Sequence, residues 1–149
     1  MNLIATPVRL AQPVVKLLNF LSPLLDLGIR LYVANIFFKS GLTKVQTWDT
    51  TVMLFTHEYQ VPLLSPPLAA FLGTGAELIL PVLLAVGLAG RFSALALFVF
   101  NIIAVISYPD LNEIGVKDHV YWGILLLVPL FHGPGPLSLD CWLTRRFRS

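Results

Sequence analysis

Charge is scarce in this chain. Of its 149 residues only 12% are charged, 10 basic against 8 acidic, while 56% are hydrophobic. An ordinary soluble domain is about 25% charged and about 45–50% apolar. So few charges cannot cover a water-facing surface, and the mean hydropathy of +0.80 agrees. The length suits one domain, 1–149. Cysteine is nearly missing too. The single Cys141 excludes an intrachain disulfide, a Cys-x-x-Cys redox motif and a thiolate metal cluster. A net charge of +2, with basic residues gathered towards the two ends, gives no basis for nucleic-acid binding. Ten-residue blocks of alternating polarity are absent, which argues against a β-barrel. His119 and His132 are thirteen residues apart on one expected helix, about 20 Å, too far to share a metal or a haem iron. No metal site is expected.

What is present is apolar sequence in long runs. Crossing a bilayer takes about 20 mostly apolar residues as a helix. Four segments meet that length: about 24–43, 67–88, 92–108 and 119–137. The expected fold is therefore all-α, an integral membrane four-helix bundle. Ahead of it, Pro13 and Pro23 bracket Val14 to Ser22, whose apolar spacing predicts a separate amphipathic N-terminal helix at the membrane surface. Between the first two spans, Thr47 or Asp49 caps a short outer-loop helix burying Val52, Leu54 and Phe55. The loops show a charge bias. Arg9, Lys16, Arg91, Arg145, Arg146 and Arg148 collect on one side, and the acidic loop residues on the other, which predicts both termini in the cytoplasm.

Within these runs stand a few polar groups. Glu77 interrupts "GTGAELILPVLLAVGLAG" about 15 Å into its span, and Asn101 lies at a similar depth in the next. An isolated charge at such depth costs about 2.5–3.5 kcal/mol, so Glu77 needs a companion. Arg30 in the first span is within reach by depth, and an Arg30–Glu77 pair is the expected arrangement. Arg30, Phe37, Gly41 and Lys44 share one helix face at spacings of seven, four and three. Gly73, Glu77 and Pro81 stack at spacings of four, with Gly73 permitting close helix approach. A polar seam would then run from Arg30 and Glu77 outward to Lys44. Such a pair has two readings: a functional site, or a packing lock between two helices. Asn101 reads first as an interhelical hydrogen bond. His119 reads as an outer-interface group beside Asp118, His132 as a helix stop, and Lys39 as snorkelling to the outer interface. Trp48, Tyr121 and Trp122 read as an interfacial aromatic belt or the wall of an outer pocket.

The order of these motifs resembles a known family. An arginine early in the first span, then "FFKSGLTKV", an outer loop ending "LFTHEYQVPLLSPPLAA", and "GAELILPVLLAVGLAGRFSALAL" are similar to the DoxX family of small, mainly bacterial, four-span membrane proteins. The later "YPD", "HVYWGILLL" and "GPGPLSLD" fit one DoxX subgroup, so the resemblance spans about Leu27 to Asp140. On matching positions Arg30, Gly41, Lys44, Glu77, Gly87 and Arg91 carry over. The resemblance implies a multi-pass protein of the bacterial inner membrane, working with partner proteins in redox, sulfur or oxidative-stress metabolism, with a quinone-like ligand. An accessory subunit is the expectation rather than a self-sufficient oxidoreductase. A quinone head needs a donor at each carbonyl and an apolar wall: Arg30 or Lys44 would donate, Glu77 would hold Arg30, and Phe37, Tyr121 and Trp122 would form the wall. Two alternatives stand beside this: a structural membrane platform, for instance a homodimer, and a small-solute or proton carrier with Glu77 as the titrating group.

Overall fold

A computed structural model describes residues 5–147. The chain runs through α1 (Ala5–Gln46), α2 (Trp48–His57), α3 (Pro66–Val86), α4 (Gly90–Ser107), α5 (Glu113–Phe131) and α6 (Leu139–Phe147), with no strand among the described residues. Four of these helices, α1, α3, α4 and α5, are long and apolar enough to cross a membrane. Arg148, counted above for orientation, lies outside the described residues.

The N-terminal helix is not separate from the first span. Both prolines lie inside one 42-residue α1, which at 1.5 Å per residue extends about 63 Å. A proline removes a single backbone hydrogen bond and bends a helix without necessarily ending it. Since the hydrocarbon layer is about 30 Å thick, α1 overruns the bundle. Its stretch from Val14 to Leu25 lies outside the bundle's packing, with Phe20 76% exposed.

Helix ends follow local chemistry. Pro66 and Pro67 open α3, where no amide is needed, and Ser65 occupies the N-cap. The α3–α4 turn is left-handed at Gly87 (φ 68°). Asp140, from the start of α6, caps α4 by accepting from the amides of Ala89 (2.8 Å) and Gly90 (2.7 Å). Asn112 caps α5 by accepting from the Gly115 amide at 2.8 Å, so that helix begins and ends about six residues earlier than its apolar run suggests. His132 is its C-cap, as expected. Thr47 does occupy the N-cap of α2, but its hydroxyl turns back to the Thr43 carbonyl and does not cap the helix.

The largest helix contacts are α1 with α3 and α4 with α5, joined by α3 with α4. Val33, Phe37, Leu84, Leu97 and Leu126 form the central core. A second, smaller core lies under α2, where Phe55 meets Ala69 and Ala70. Val52 and Leu54 are only half-buried. Large apolar side chains face outward on every long helix, among them Leu31, Ile79, Phe92, Ile106 and Ile124. That is the surface of a chain whose solvent is lipid.

The close contact of α1 with α3 shows the register of the bundle. Gly41 on α1 lies against Glu77 and Leu78: a Cβ there would be 3.0 Å from each side chain. Gly41, five residues before the end of α1, is therefore level with the middle of α3. The outer half of the bundle is completed by α2 and by the link that follows it, whose Gln60 amide donates to the Ser107 carbonyl at the end of α4 (2.7 Å).

Candidate functional site

Glu77 is paired with Lys44, not with Arg30. The Lys44 ammonium, in the last turn of α1, donates to both carboxylate oxygens of Glu77 at 2.8 and 2.7 Å and to Ser40 Oγ at 2.8 Å. Ser40 Oγ in turn donates to Glu77 Oε1 at 3.2 Å. The spacing places these groups: Ser40 and Lys44 are one turn apart, and Gly41 on the same face lets α3 come close enough for contact. The pair is enclosed without being sealed, its side chains being 19% and 8% exposed for Lys44 and Glu77.

Arg30 points to the other end of α3. Its guanidinium donates to the carbonyls of Leu84 (3.3 Å) and Ala85 (3.1 Å), and to that of Leu137. The last carbonyls of a helix lack intrahelical partners and carry partial negative charge, so the guanidinium is held by backbone carbonyls, with the charges of Asp26 and Asp140 near it, and not by Glu77. Leu84 is seven residues beyond Glu77, about 10 Å along the helix. The seam expected between Arg30 and Lys44 is thus two separate clusters, fourteen residues and about 21 Å apart on α1. Gly87 belongs to the Arg30 cluster. Any Cβ there would collide with the guanidinium and lie 2.5 Å from the Ser138 Cβ.

The Lys44–Glu77 pair faces a partly open cavity of about 480 Å³ lined by residues of α1 to α5. Its wall is mostly apolar, with several aromatic rings. Phe37 meets Phe100 and Trp122 edge-on, at 6.2 and 5.9 Å between ring centres, and Phe55 stacks on Tyr59 at 4.7 Å. A volume of this size suits a small ligand. Of the expected wall residues, Phe37 and Trp122 line the cavity. Tyr121 does not: it is 62% exposed, because its neighbour Trp122 takes the inward face of α5. Gly73 lines the cavity beneath Phe55, and Pro81 is buried one turn below Glu77. Arg91 is exposed at the start of α4, beside Gly133.

Asn101 makes the interhelical bond expected of it, with an unexpected partner. Its Nδ2 donates to the His119 carbonyl at 2.9 Å and its Oδ1 meets His119 Nδ1 at 2.7 Å. His119 is accordingly a half-buried cavity residue, edge-on to Trp122 at 4.7 Å, and not a group at the outer surface. Over the mouth, Tyr59 packs on Tyr108 at 5.0 Å. The Tyr59 phenol is pushed above its ordinary range by burial first, then by the negative charge of Glu77. That of Tyr108 is raised chiefly by Glu58. Sequence reasoning missed Ser40, Tyr59, Phe100, Ser107 and His119 as site residues. For Ser40 a signal existed, since it lies one turn from Lys44. The others needed the tertiary placement of α2 and α5.

Set against known proteins, the family model described as DoxX matches residues 25–109. The chain belongs to the DoxX family. The matched part takes in Ser40, Lys44, Glu77 and Asn101 of this DoxX bundle and stops before His119 and Trp122. An uncharacterized protein of Haemophilus influenzae is 32% identical over 119 residues, covering 75% of this chain and 78% of its own length. No solved structure matches the chain.

Proposed function

We propose that the bundle binds a lipophilic small molecule with a polar head, of quinone-like size, and serves as a membrane subunit alongside partner proteins in redox metabolism. One observation carries the binding half of this reading: a lysine–glutamate pair opening onto an aromatic cavity of about 480 Å³. Charges inside a membrane bundle are costly, and a pair that faces an internal void is placed to meet a ligand. The apolar wall takes a ring or chain, while Glu77, held by Lys44, together with His119 and the hydroxyls of Tyr59 and Ser107, supplies polar contacts. The partnership and the redox setting are what the family resemblance implies. Both termini lie in the cytoplasm of this reading, which puts the cavity in the outer half of the bacterial inner membrane.

The test is binding in lipid nanodiscs. A short-chain ubiquinone analogue, in oxidised and reduced forms, should quench the fluorescence of Trp122, and Lys44→Met should weaken binding by about tenfold or more, because Glu77 then loses the ammonium that holds it in place at the cavity. Absence of binding by both forms would remove the ligand. One further observation favours the packing-lock reading: Lys44, Ser40 and Glu77 already satisfy one another. Under that reading a stable Lys44→Met/Glu77→Leu double variant keeps full cellular function; under ours it does not.

A further inference from the structure

The hydrogen-bonding state of the cavity specifies what its occupant must offer. The Asn101 amide settles the tautomer of His119. A backbone carbonyl can only accept, so the end of the amide at the His119 carbonyl must be the NH₂ group, and the end at Nδ1 must be the oxygen. Oxygen accepts, so Nδ1 carries a hydrogen. In the neutral ring this leaves Nε2 as an acceptor. Nε2 has no protein partner among the described residues, on a side chain that lines the cavity.

The same census applies to the floor. Lys44 has three N–H groups, and it contacts three oxygens, two on Glu77 and one on Ser40. Its donors are engaged. Glu77 Oε2 accepts from Lys44 alone, so it retains lone-pair capacity. The hydroxyls of Tyr59 and Ser107 turn to either role and do not discriminate. The indole N–H of Trp122 is a fixed donor beside His119. Among the groups whose role is fixed, the unmet capacity is thus mainly for accepting, and the lone donor sits next to an acceptor.

Resting on the ligand-binding reading above, we infer that the cavity selects a hydroxylated aromatic, a phenol- or hydroquinone-type molecule, over its carbonyl or ether counterpart, with His119 Nε2 accepting the hydroxyl hydrogen and Asn101 acting as the positioning residue. A hydroxyl both donates and accepts, so it serves His119 and Trp122 together. A carbonyl or ether oxygen leaves the imidazole acceptor without a donor inside an apolar wall, and sites of this kind reject such analogues strongly.

The experiment uses the full chain in nanodiscs with 1-naphthol and 1-methoxynaphthalene, which share the ring and differ in the hydroxyl hydrogen. The wild type should bind the naphthol about tenfold or more tightly than the ether. His119→Phe should bring the two within about threefold of each other, and Asn101→Leu should do so in part. Long-range ¹H–¹⁵N spectra of the wild type, which need no variant to fold, should show His119 protonated at Nδ1, and Asn101→Leu should lose that signature. Equal affinity of the wild type for both probes, or an Nε2–H tautomer, overturns this inference and leaves the general binding reading intact. Failure of both probes to bind overturns this inference, and failure of the ubiquinone analogue as well overturns the binding reading with it.

Discussion

A double-mutant cycle separates the pairing found here from the one that depth alone suggests. Glu77 accepts two contacts from Lys44 and one from Ser40. Removing one member of a fully buried ion pair costs about 3–5 kcal/mol. Here the Lys44 side chain keeps 19% of its exposure, so water and the outer interface relieve part of its charge once the carboxylate is gone. The expected coupling between Lys44→Met and Glu77→Gln is therefore nearer the worth of a charge-assisted hydrogen bond, about 1.5–3 kcal/mol. Arg30 binds carbonyls about 10 Å further along α3 and shares no partner with Glu77. The coupling between Arg30→Met and Glu77→Gln should consequently stay within about 0.5 kcal/mol. Unfolding in mixed micelles by titration with sodium dodecyl sulfate, followed by tryptophan fluorescence, measures all the corners. A coupling above about 1 kcal/mol for Arg30 with Glu77, or none for Lys44 with Glu77, would refute the register of α1 against α3 on which the site depends.

Arg30→Lys should lower stability by about 2–4 kcal/mol in the same assay, since one ammonium cannot span the carbonyls of α3 and of Leu137 as a planar guanidinium does; a loss below about 1 kcal/mol would count against the capping role. Gly87→Ala should destabilise by about 1–2 kcal/mol from its left-handed φ alone, with the collision against Arg30 adding to it; a neutral outcome would refute that contact. The raised Tyr59 phenol favours the folded state below about pH 10, and this contribution disappears as pH rises through the folded value. Tyr59→Phe should flatten the alkaline fall in melting temperature, and an unchanged slope would contradict the burial of that hydroxyl. For orientation, in a Cys141→Ser background, Asp110→Cys should react with a membrane-impermeant maleimide in intact cells, and Arg145→Cys only after permeabilisation. The reverse pattern would invert the topology.

Four spans were legible because each apolar run is long and α3 carries its own punctuation, Pro66 and Pro67 at its start and Gly87 after it, whereas the Asn112 cap that starts α5 six residues before its apolar run went unread. The buried face of α1 was legible as well. Arg30, Phe37 and Gly41 all turn inward as their spacing requires. What one-dimensional reasoning lost was the axial register. Depth counted from span ends assumes that every helix starts and stops at the same two planes. α1 violates this at both ends, overrunning the bundle near Phe20 and stopping at Gln46, only five residues beyond the Gly41 that lies against Glu77 in the middle of α3. The outer-loop helix was expected, but that it sinks far enough for Phe55 to pack on Gly73 depends on Ala69 and Ala70 leaving room beneath it. No local pattern states that. His119 was lost for a related reason, since its neighbour Asp118 and its place in the second turn of α5 both suggest water, and only the Asn101 amide across the helix interface draws it inward.

The separation of the two charged clusters bears on what intramembrane charge is for. Arg30 is 1% exposed, and its acceptors are backbone carbonyls at the end of one helix and in the segment that leads to α6. Nearby, Asp140 closes the start of α4. Together they tie the α3–α4 turn, α1 and the C-terminal segment into one closed end, with both terminal nitrogens of the guanidinium bonded inside the fold. Lys44 and Glu77 satisfy each other equally well, yet they do so beside a void that the fold leaves unfilled. A bundle that needed only a lock at that level could fill the space with leucine at lower electrostatic cost. A charged pair kept beside an unfilled cavity supports the proposed ligand site between Lys44 and His119, whereas the arginine does not line that cavity.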